Sequence, residues 1–167
     1  WVFEELFTSA GTRLSDHVHL TPAHRLARHF WPDQSRLDLF SDLDRSHQAI
    51  KDFAGAKEAD GFLRYHAYAK KIFDNVEDVF IRAPKPTAWR VMQSLGLRAI
   101  PRLMRIDARR SMWRALGDFF ADARLQQLFG RYATYAGNNP FVTPATFNLI
   151  AHVEQEGVWR IEGGMSQ

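Results

Sequence analysis

Four histidines, His17, His19, His24 and His29, crowd one short stretch of the chain. On a strand His17 and His19 would share a face, and paired imidazoles can bind zinc. No carboxylate joins them at a recognisable spacing and the chain has no cysteine. The pattern therefore favours partly exposed histidines along an edge strand, and no metal is expected. A second candidate is the run "RYATYAGNNPF" from Arg131 to Phe141, followed by acids at Glu154 and Glu156. It sets one arginine among aromatic and small residues and shows no acid–base dyad. There is no Gly-x-Gly-x-x-Gly after a strand, no Gly-x-Ser-x-Gly and no His-Glu-x-x-His, so no nucleotide, serine-hydrolase or zinc-protease site can be read here.

The third candidate is charge. From Arg82 to Arg114 nine Lys/Arg face one acid, Asp107, in a chain whose net charge is only +3. Within "LRAIPRLMRIDARRSMWRALGDFF", 97–120, arginines 98, 102, 105, 109, 110 and 114 alternate with Leu97, Ile100, Leu103, Met104, Ile106, Trp113, Leu116 and Phe119. Such a basic amphipathic segment can lie on an anionic bilayer, its arginine stems buried and their heads at phosphate. The competing reading is a solvated basic face over inward-packed apolar residues. Nucleic acid is the least favoured partner, and none is expected.

The elements that must position these residues follow from periodicity. "VFEELFTSAG" predicts a short helix stopped by Gly11. Residues 17–42 predict strands, with Val18 and Leu20 alternating against His17 and His19. A hairpin is expected across Pro32-Asp33-Gln34, with Leu37 and Leu39 buried. Asp44 is expected to cap a helix carrying Ile50 and Phe53 and ending at Gly55. A long helix should bury Phe62, Tyr65, Ala69, Ile72, Phe73, Val76, Val79 and Phe80. Gly61 would weaken its start, and Pro84 and Pro86 would end it. Residues 87–120 read as helix broken at Gly96 and Pro101. Asp122 caps a helix bearing Leu125, Leu128, Phe129, Tyr132, Tyr135 and Ala136 and closed by Gly137. Thr143-Pro144 starts a helix that runs to Gly157. "VWRI" alternates as a strand that could return to the first sheet. The order gives an α+β fold, a small mainly antiparallel sheet packed with a layer of helices.

The 167 residues suit one domain, and 46% apolar with 25% charged residues are ordinary for a globular protein. No apolar run approaches the ~20 residues of a membrane span, and no signal peptide is visible. The absence of cysteine fits a reducing cytoplasm. Trp1 at the start and "EGGMSQ" at the end suggest a piece of something longer. On spacing alone, Tyr132, Tyr135, Phe141 and Phe147 read as core, and Asn138 and Asn139 as turn residues.

Three longer stretches, "VFEELFTSAG", "LARHFWPDQSRLDLFSD" and "LQQLFGRYATYAGNNPFVTPATFNLIAHVEQEGVWRIEGGM", resemble the bacterial phytoene dehydrogenase family. These are FAD-dependent carotenoid desaturases of the flavin amine-oxidase type, and the resemblance points to their hydroxycarotenoid 3,4-desaturase branch. It spans nearly the whole chain, is tightest at 26–42 and 124–165, and is weakest at 82–118. It implies that 1–167 is a substrate-binding domain inserted into a longer oxidoreductase, with FAD held mainly elsewhere and both ends of the domain close together. Arg131, Tyr132, Tyr135, Asn138, Asn139, Pro140 and Phe141 match a strong family block and, with Phe147, are implied to shape a long apolar cavity for a polyene. Gly163, Gly164 and Met165 match a Gly-Gly-Met turn expected near the flavin ring. The family's acid–base residues fall where this sequence aligns poorly, so no catalytic residue is carried over. Asp-Gly, frequent in the family's hairpin turn, is Asp33-Gln34 here. The implied partners are a carotenoid, the flavin domain of the same protein and a membrane surface met through 97–120, giving a cytoplasmic, peripherally membrane-associated enzyme. The alternative is a non-enzymatic module that binds a lipophilic ligand or a membrane.

Overall fold

The computed structural model describes residues 2–77, 81–82 and 105–164, beginning with helix α1 (Val2–Ser9). Gly11 stops the chain after it at φ +80°, a left-handed angle that glycine adopts without strain. Strand β1 (Leu20–Pro22) is short, because residues 14–16 form a 3-10 turn before it. His17 and His19 therefore sit outside any strand. His17 Nε2 pairs with Thr12 Oγ1 at 2.9 Å, and the expected histidine face does not form.

Strands β2 (Arg25–Phe30) and β3 (Arg36–Phe40) make the expected hairpin, with Leu37 and Leu39 buried on one face. Across the other face Arg28 Nε and Nη2 donate to the two oxygens of Asp38 at 2.6 and 2.7 Å. At the turn, Gln34 N–H donates to Trp31 O at 3.0 Å and Ser35 N–H to Asp33 Oδ1 at 2.9 Å. The last strand, β4 (Trp159–Ile161), returns and pairs antiparallel with β1. The fold is α+β, but its strands form two separate two-stranded ribbons, not one sheet. Pro22 has no N–H to donate, and a register shift interrupts the hairpin between Arg25 and Ala27. One further bond extends each ribbon at its end, from Ala23 N–H to Val158 O beside β1–β4 and from Ser41 N–H to His24 O beside β2–β3.

Helix α2 (Leu43–Ala54) starts two residues earlier than expected. Asp42, not Asp44, is the cap, its carboxylate accepting from Arg45 N–H at 2.9 Å. Buried Ser46 locks α2 to β3, since its hydroxyl donates to Phe40 O and accepts from Phe40 N–H. Helix α3 (Ala56–Val76) buries Ala59, Phe62, Tyr65, Ala69, Ile72 and Val76 along one stripe. Because α3 begins at Ala56, Gly61 lies inside it. A Cβ there would collide with the Phe119 carbonyl oxygen, so the residue permits close approach of another chain segment instead of weakening a start. The expectations for Val79, Phe80, Pro84, Pro86, Gly96, Pro101, residues 97–104 and Met165 fall outside the described residues.

Helices α4 (Met112–Leu116), α5 (Ala123–Gly130) and α6 (Leu149–Glu156) complete the helical layer over α3. Asp122 caps α5 as expected, accepting from Arg124 N–H at 2.8 Å. Buried Glu58 on α3 accepts from Ala121 and Asp122 N–H at the same helix start, placing a carboxylate at its positive end. A 3-10 turn spans Arg131–Ala136 and closes at left-handed Gly137. Another, Ala145–Asn148, leads into α6. Thr143 does not cap it. Its buried hydroxyl donates instead to Asn139 O at 2.8 Å, while Met112 N–H donates to Thr143 O.

The core is an aromatic stack. Phe129 lies 4.9 Å from Tyr65, 5.0 Å from Phe120 and 5.9 Å from Phe62, ring centre to ring centre. Fully buried Tyr65 donates to Asn148 Oδ1 at 3.0 Å, and Asn148 donates onward to Ala145 O, so the polar tips are satisfied. The described part of the basic stretch also faces inward. Ile106, Met112, Leu116 and Phe120 are buried, and Arg110 pairs with Asp107 and Asp118. The apolar side of 105–120 thus belongs to the core and does not form an exposed membrane face. Arg105, Arg109 and Arg114 remain on the surface.

Candidate functional site

The block from Gly130 to Thr143 is built as a wall. Gly137 turns the chain at φ +63°, and Asn138 N–H reaches back to Ala133 O. Asn139 then folds the next residues around itself. Its Oδ1 accepts from Phe141 N–H at 3.0 Å, and its carbonyl accepts from Thr143 N–H and Oγ1. Pro140 O accepts from Trp113 N–H at 3.0 Å, fastening the turn to α4. The turn so held presents Phe141 against Trp113, ring centres 4.8 Å apart.

Between this turn, α4 and α5 opens a cleft of about 650 Å³. Its apolar wall comes from Trp113, Ala123, Gly130, Ala133, Pro140 and Phe141, and its polar groups from Gln127, Arg131, Thr134, Asn138 and Asn139. Of the eight residues singled out as cavity-shaping, Arg131, Asn138, Asn139, Pro140 and Phe141 meet here. Tyr132, Tyr135 and Phe147 do not line it. Tyr132 is 1% exposed and Phe147 packs on the core, because both point from their 3-10 turns toward α3 and α6. Tyr135 points outward at 73% exposure. Trp113, Gln127 and Thr134 were not anticipated. Trp113 was hidden in the basic stretch, and no spacing rule links it to residue 141.

Behind the cleft wall sits a polar cluster. Arg131 Nη2 donates to both oxygens of Glu154, at 2.6 and 2.8 Å, and the Tyr132 hydroxyl donates to Glu154 Oε2. The Arg131 guanidinium carbon lies 4.4 Å over the Tyr132 ring. Burial pushes the Tyr132 phenol well above its ordinary range, so it remains a donor. Arg131 also lines a second pocket, of about 370 Å³, between α5 and the β2–β3 hairpin. His29, Phe30, Trp31, Gln127 and Leu128 are among its other walls, and Trp31 Nε1 donates to Gln127 Oε1 at 3.1 Å. Two buried atoms there have no hydrogen-bond partner, Arg131 Nη1 and His29 Nε2. Burial, and then the Arg131 charge, lower the His29 pKa, with Glu154 opposing, so its ring is neutral at pH 7.

Gly163 and Gly164 follow β4 at φ +81° and +92°, making a tight turn whose Gly164 N–H returns to Ile161 O. Gly164 has no heavy atom within 4 Å of where a side chain would begin, so its backbone is open to approach. The described residues contain no Gly-rich strand–turn–helix to cradle a dinucleotide. Among the described residues no helix is long and apolar enough to cross a membrane, and no group of three potential metal ligands comes together.

No family model matches the chain. It is 45% identical over 166 residues to hydroxyneurosporene desaturase of Rubrivivax gelatinosus, covering 99% of this chain and 32% of that protein. It is 44% identical over 165 residues to the protein of the same name from Rhodobacter capsulatus, covering 98% and 33%. A phytoene desaturase (lycopene-forming) of Pseudescherichia vulneris is 32% identical over 164 residues, covering 96% of this chain and 32% of its own length. The chain thus spans about a third of the curated relatives it matches. The similarity covers nearly the whole chain, so the hairpin, the 131–141 wall and the returning strand all lie in a segment similar to carotenoid desaturases.

Proposed function

We propose that this chain is the substrate-binding domain of an FAD-dependent carotenoid desaturase and holds a polyene while a flavin carried elsewhere in the same protein oxidises it. The observation that carries this reading is the apolar cleft built by the 131–141 block, which a ligand with almost nothing to hydrogen-bond would fill by apolar contact. The bound flavin supplies a hydride acceptor, so that two hydrogens leave adjacent carbons as hydride and proton. This chain's own part is binding and orientation. Trp113, Pro140 and Phe141 press on the polyene, and Ala133 and Gly130 leave it room. The pairing of β1 with β4, reinforced by Thr21 Oγ1 donating to Glu162 Oε1 at 2.9 Å, supports a two-strand stem through which the domain joins the flavin-bearing part. The Gly163-Gly164 turn then comes near the flavin ring.

The substrate class follows the relatives. Those at 44–45% identity are named for a hydroxylated carotenoid, whereas the one at 32% is named for phytoene. We place the substrate among hydroxylated polyenes. Such a substrate resides in lipid, and exposed Arg105, Arg109 and Arg114 would meet anionic headgroups of a membrane at which the protein docks peripherally.

The test uses the full-length protein. It is expected to purify with a flavin absorption band and to dehydrogenate a hydroxylated carotenoid in detergent. Thr134→Trp, which fills the cleft from its exposed rim, should raise KM at least about tenfold without lowering flavin content. A full-length protein that binds flavin and turns over no carotenoid refutes the assignment.

A further inference from the structure

The two pockets share a wall. Gln127 and Arg131 line both the apolar cleft and the pocket beneath the hairpin, so a chain lying in the first can bring one end toward the second. The two pockets differ in chemistry. Beneath the hairpin are two unfilled hydrogen-bond valences of opposite kind. Arg131 Nη1 can only donate. Neutral His29 Nε2 can accept when its proton is on Nδ1. Buried polar atoms without partners are uncommon in folded proteins and destabilise them. An alcohol oxygen within reach of both would satisfy them together, accepting from Arg131 while its O–H donates to His29. A hydrocarbon end satisfies neither.

We propose that His29 and Arg131 form a receptor for a hydroxyl group at one end of the bound polyene, and that this receptor sets the preference for hydroxylated over plain hydrocarbon substrates. The proposal rests on the reading of the cleft as a polyene site. Glu154 holds Arg131 by Nη2 and leaves Nη1 for the ligand, while Tyr132 also donates to that carboxylate. Both unfilled atoms are buried, so a small rotation of either side chain accompanies entry of the hydroxyl. The hairpin thereby becomes part of the specificity apparatus. His29 faces Leu37 across the ribbon, and the hairpin sets how far its ring reaches toward Arg131.

The experiment compares kcat/KM of the full-length flavoprotein for two carotenoids of equal length, one with a terminal hydroxyl and one without. Wild type is expected to prefer the alcohol at least about tenfold, because the substrate without the hydroxyl leaves both buried atoms unpaired. His29→Leu should abolish that preference by slowing the alcohol alone, and His29→Gln, which keeps a polar atom at similar reach, should restore part of it. Equal losses on both substrates would show a structural role for His29 and overturn the proposal, as would an undiminished preference in His29→Leu. Should His29→Leu fail to accumulate, the methyl ether of the alcohol decides with wild type. It can still accept from Arg131 but cannot donate to His29, so a kcat/KM between those of alcohol and hydrocarbon is expected, and one equal to the alcohol's refutes the receptor. A wild type that turns over both carotenoids equally sinks the receptor but leaves the desaturase assignment standing. One that turns over neither sinks the assignment itself.

Discussion

The stack around Phe129 and the wall around Arg131 are neighbours in sequence, yet they treat their side chains differently. In the stack, Tyr65, Phe120 and Phe129 are almost fully enclosed, and the polar groups beside them, Tyr65, Asn148, Ser46 and Glu58, all have partners. Around Arg131, Phe30, Phe141 and Tyr135 stand 70%, 61% and 73% exposed, and buried atoms of Arg131 and His29 lack partners. A fold optimised only for stability would close both regions. The open one is where the proposed polyene would supply the missing contacts.

The largest expected effect sharpens that contrast by deleting one ring from each side. Phe129→Ala removes the centre of the stack and should lower stability by about 3–5 kcal/mol in denaturant titration. Phe141→Ala, from an exposed ring, should change stability by less than about 1 kcal/mol while weakening polyene binding in a fluorescence-quenching titration. Similar losses of stability from both would erase the distinction.

Next in size is the Arg131–Glu154 pair. Glu154→Gln removes a carboxylate that accepts from both Arg131 and Tyr132 and leaves the guanidinium without its counter-charge. With side chains 29% and 18% exposed, the pair is only partly desolvated, and a loss of about 1–3 kcal/mol is expected. Unchanged thermal stability would mean that solvent already screens the pair.

Acid should act on the histidines. Burial and the neighbouring His152 ring lower the His66 pKa, and burial with Arg131 lowers that of His29. A base whose folded pKa is depressed binds fewer protons when folded. Its stabilisation is complete above the ordinary histidine range near 6.5 and falls as pH drops through that range toward the lower folded value. The urea midpoint should therefore fall between pH 7.5 and 5.5, and less so in His66→Gln. Asp38 and Asp122, held below the usual carboxylate range chiefly by hydrogen bonds from Arg28 and Arg124, lose their contribution only at lower pH. A flat profile across 7.5–5.5 would remove the histidines from the balance.

Much of the frame was legible in residue order. The hairpin, the stripe on α3, the Asp122 cap and the returning strand each follow from period, caps or turn residues acting within a few positions. Five residues of the family block also meet at one cleft. What sequence did not give is long-range. Glu154 partners Arg131 from 23 residues away, Trp113 meets Phe141 from another helix, and His29 reaches the Arg131 pocket from the hairpin. No local pattern encodes those meetings, because they depend on how α4, α5 and the hairpin pack. The choice between an inward and a membrane-facing apolar side of 97–120 stayed open for a related reason. An amphipathic stripe reports that an apolar face will be covered, not what covers it.

The smallest expected effect lies at the hairpin tip and separates its geometry from its chemistry. Gln34 sits at φ +67°, left-handed backbone that costs a side-chain-bearing residue about 1 kcal/mol and glycine little. Gln34→Gly relieves that strain while enlarging the freedom of the unfolded chain, so the net gain should be about 0.5 kcal/mol or less. The turn bonds of Gln34 N–H and Ser35 N–H involve backbone donors and the Asp33 carboxylate, so the substitution leaves them intact. Binding of a hydroxylated polyene should not change, because Gln34 lines neither pocket while the hairpin's reach toward Arg131 is preserved. If Gln34→Gly stabilised the fold but weakened that binding, the tip would be coupled to His29 through the strands, and the open region would extend further into the hairpin than its walls suggest.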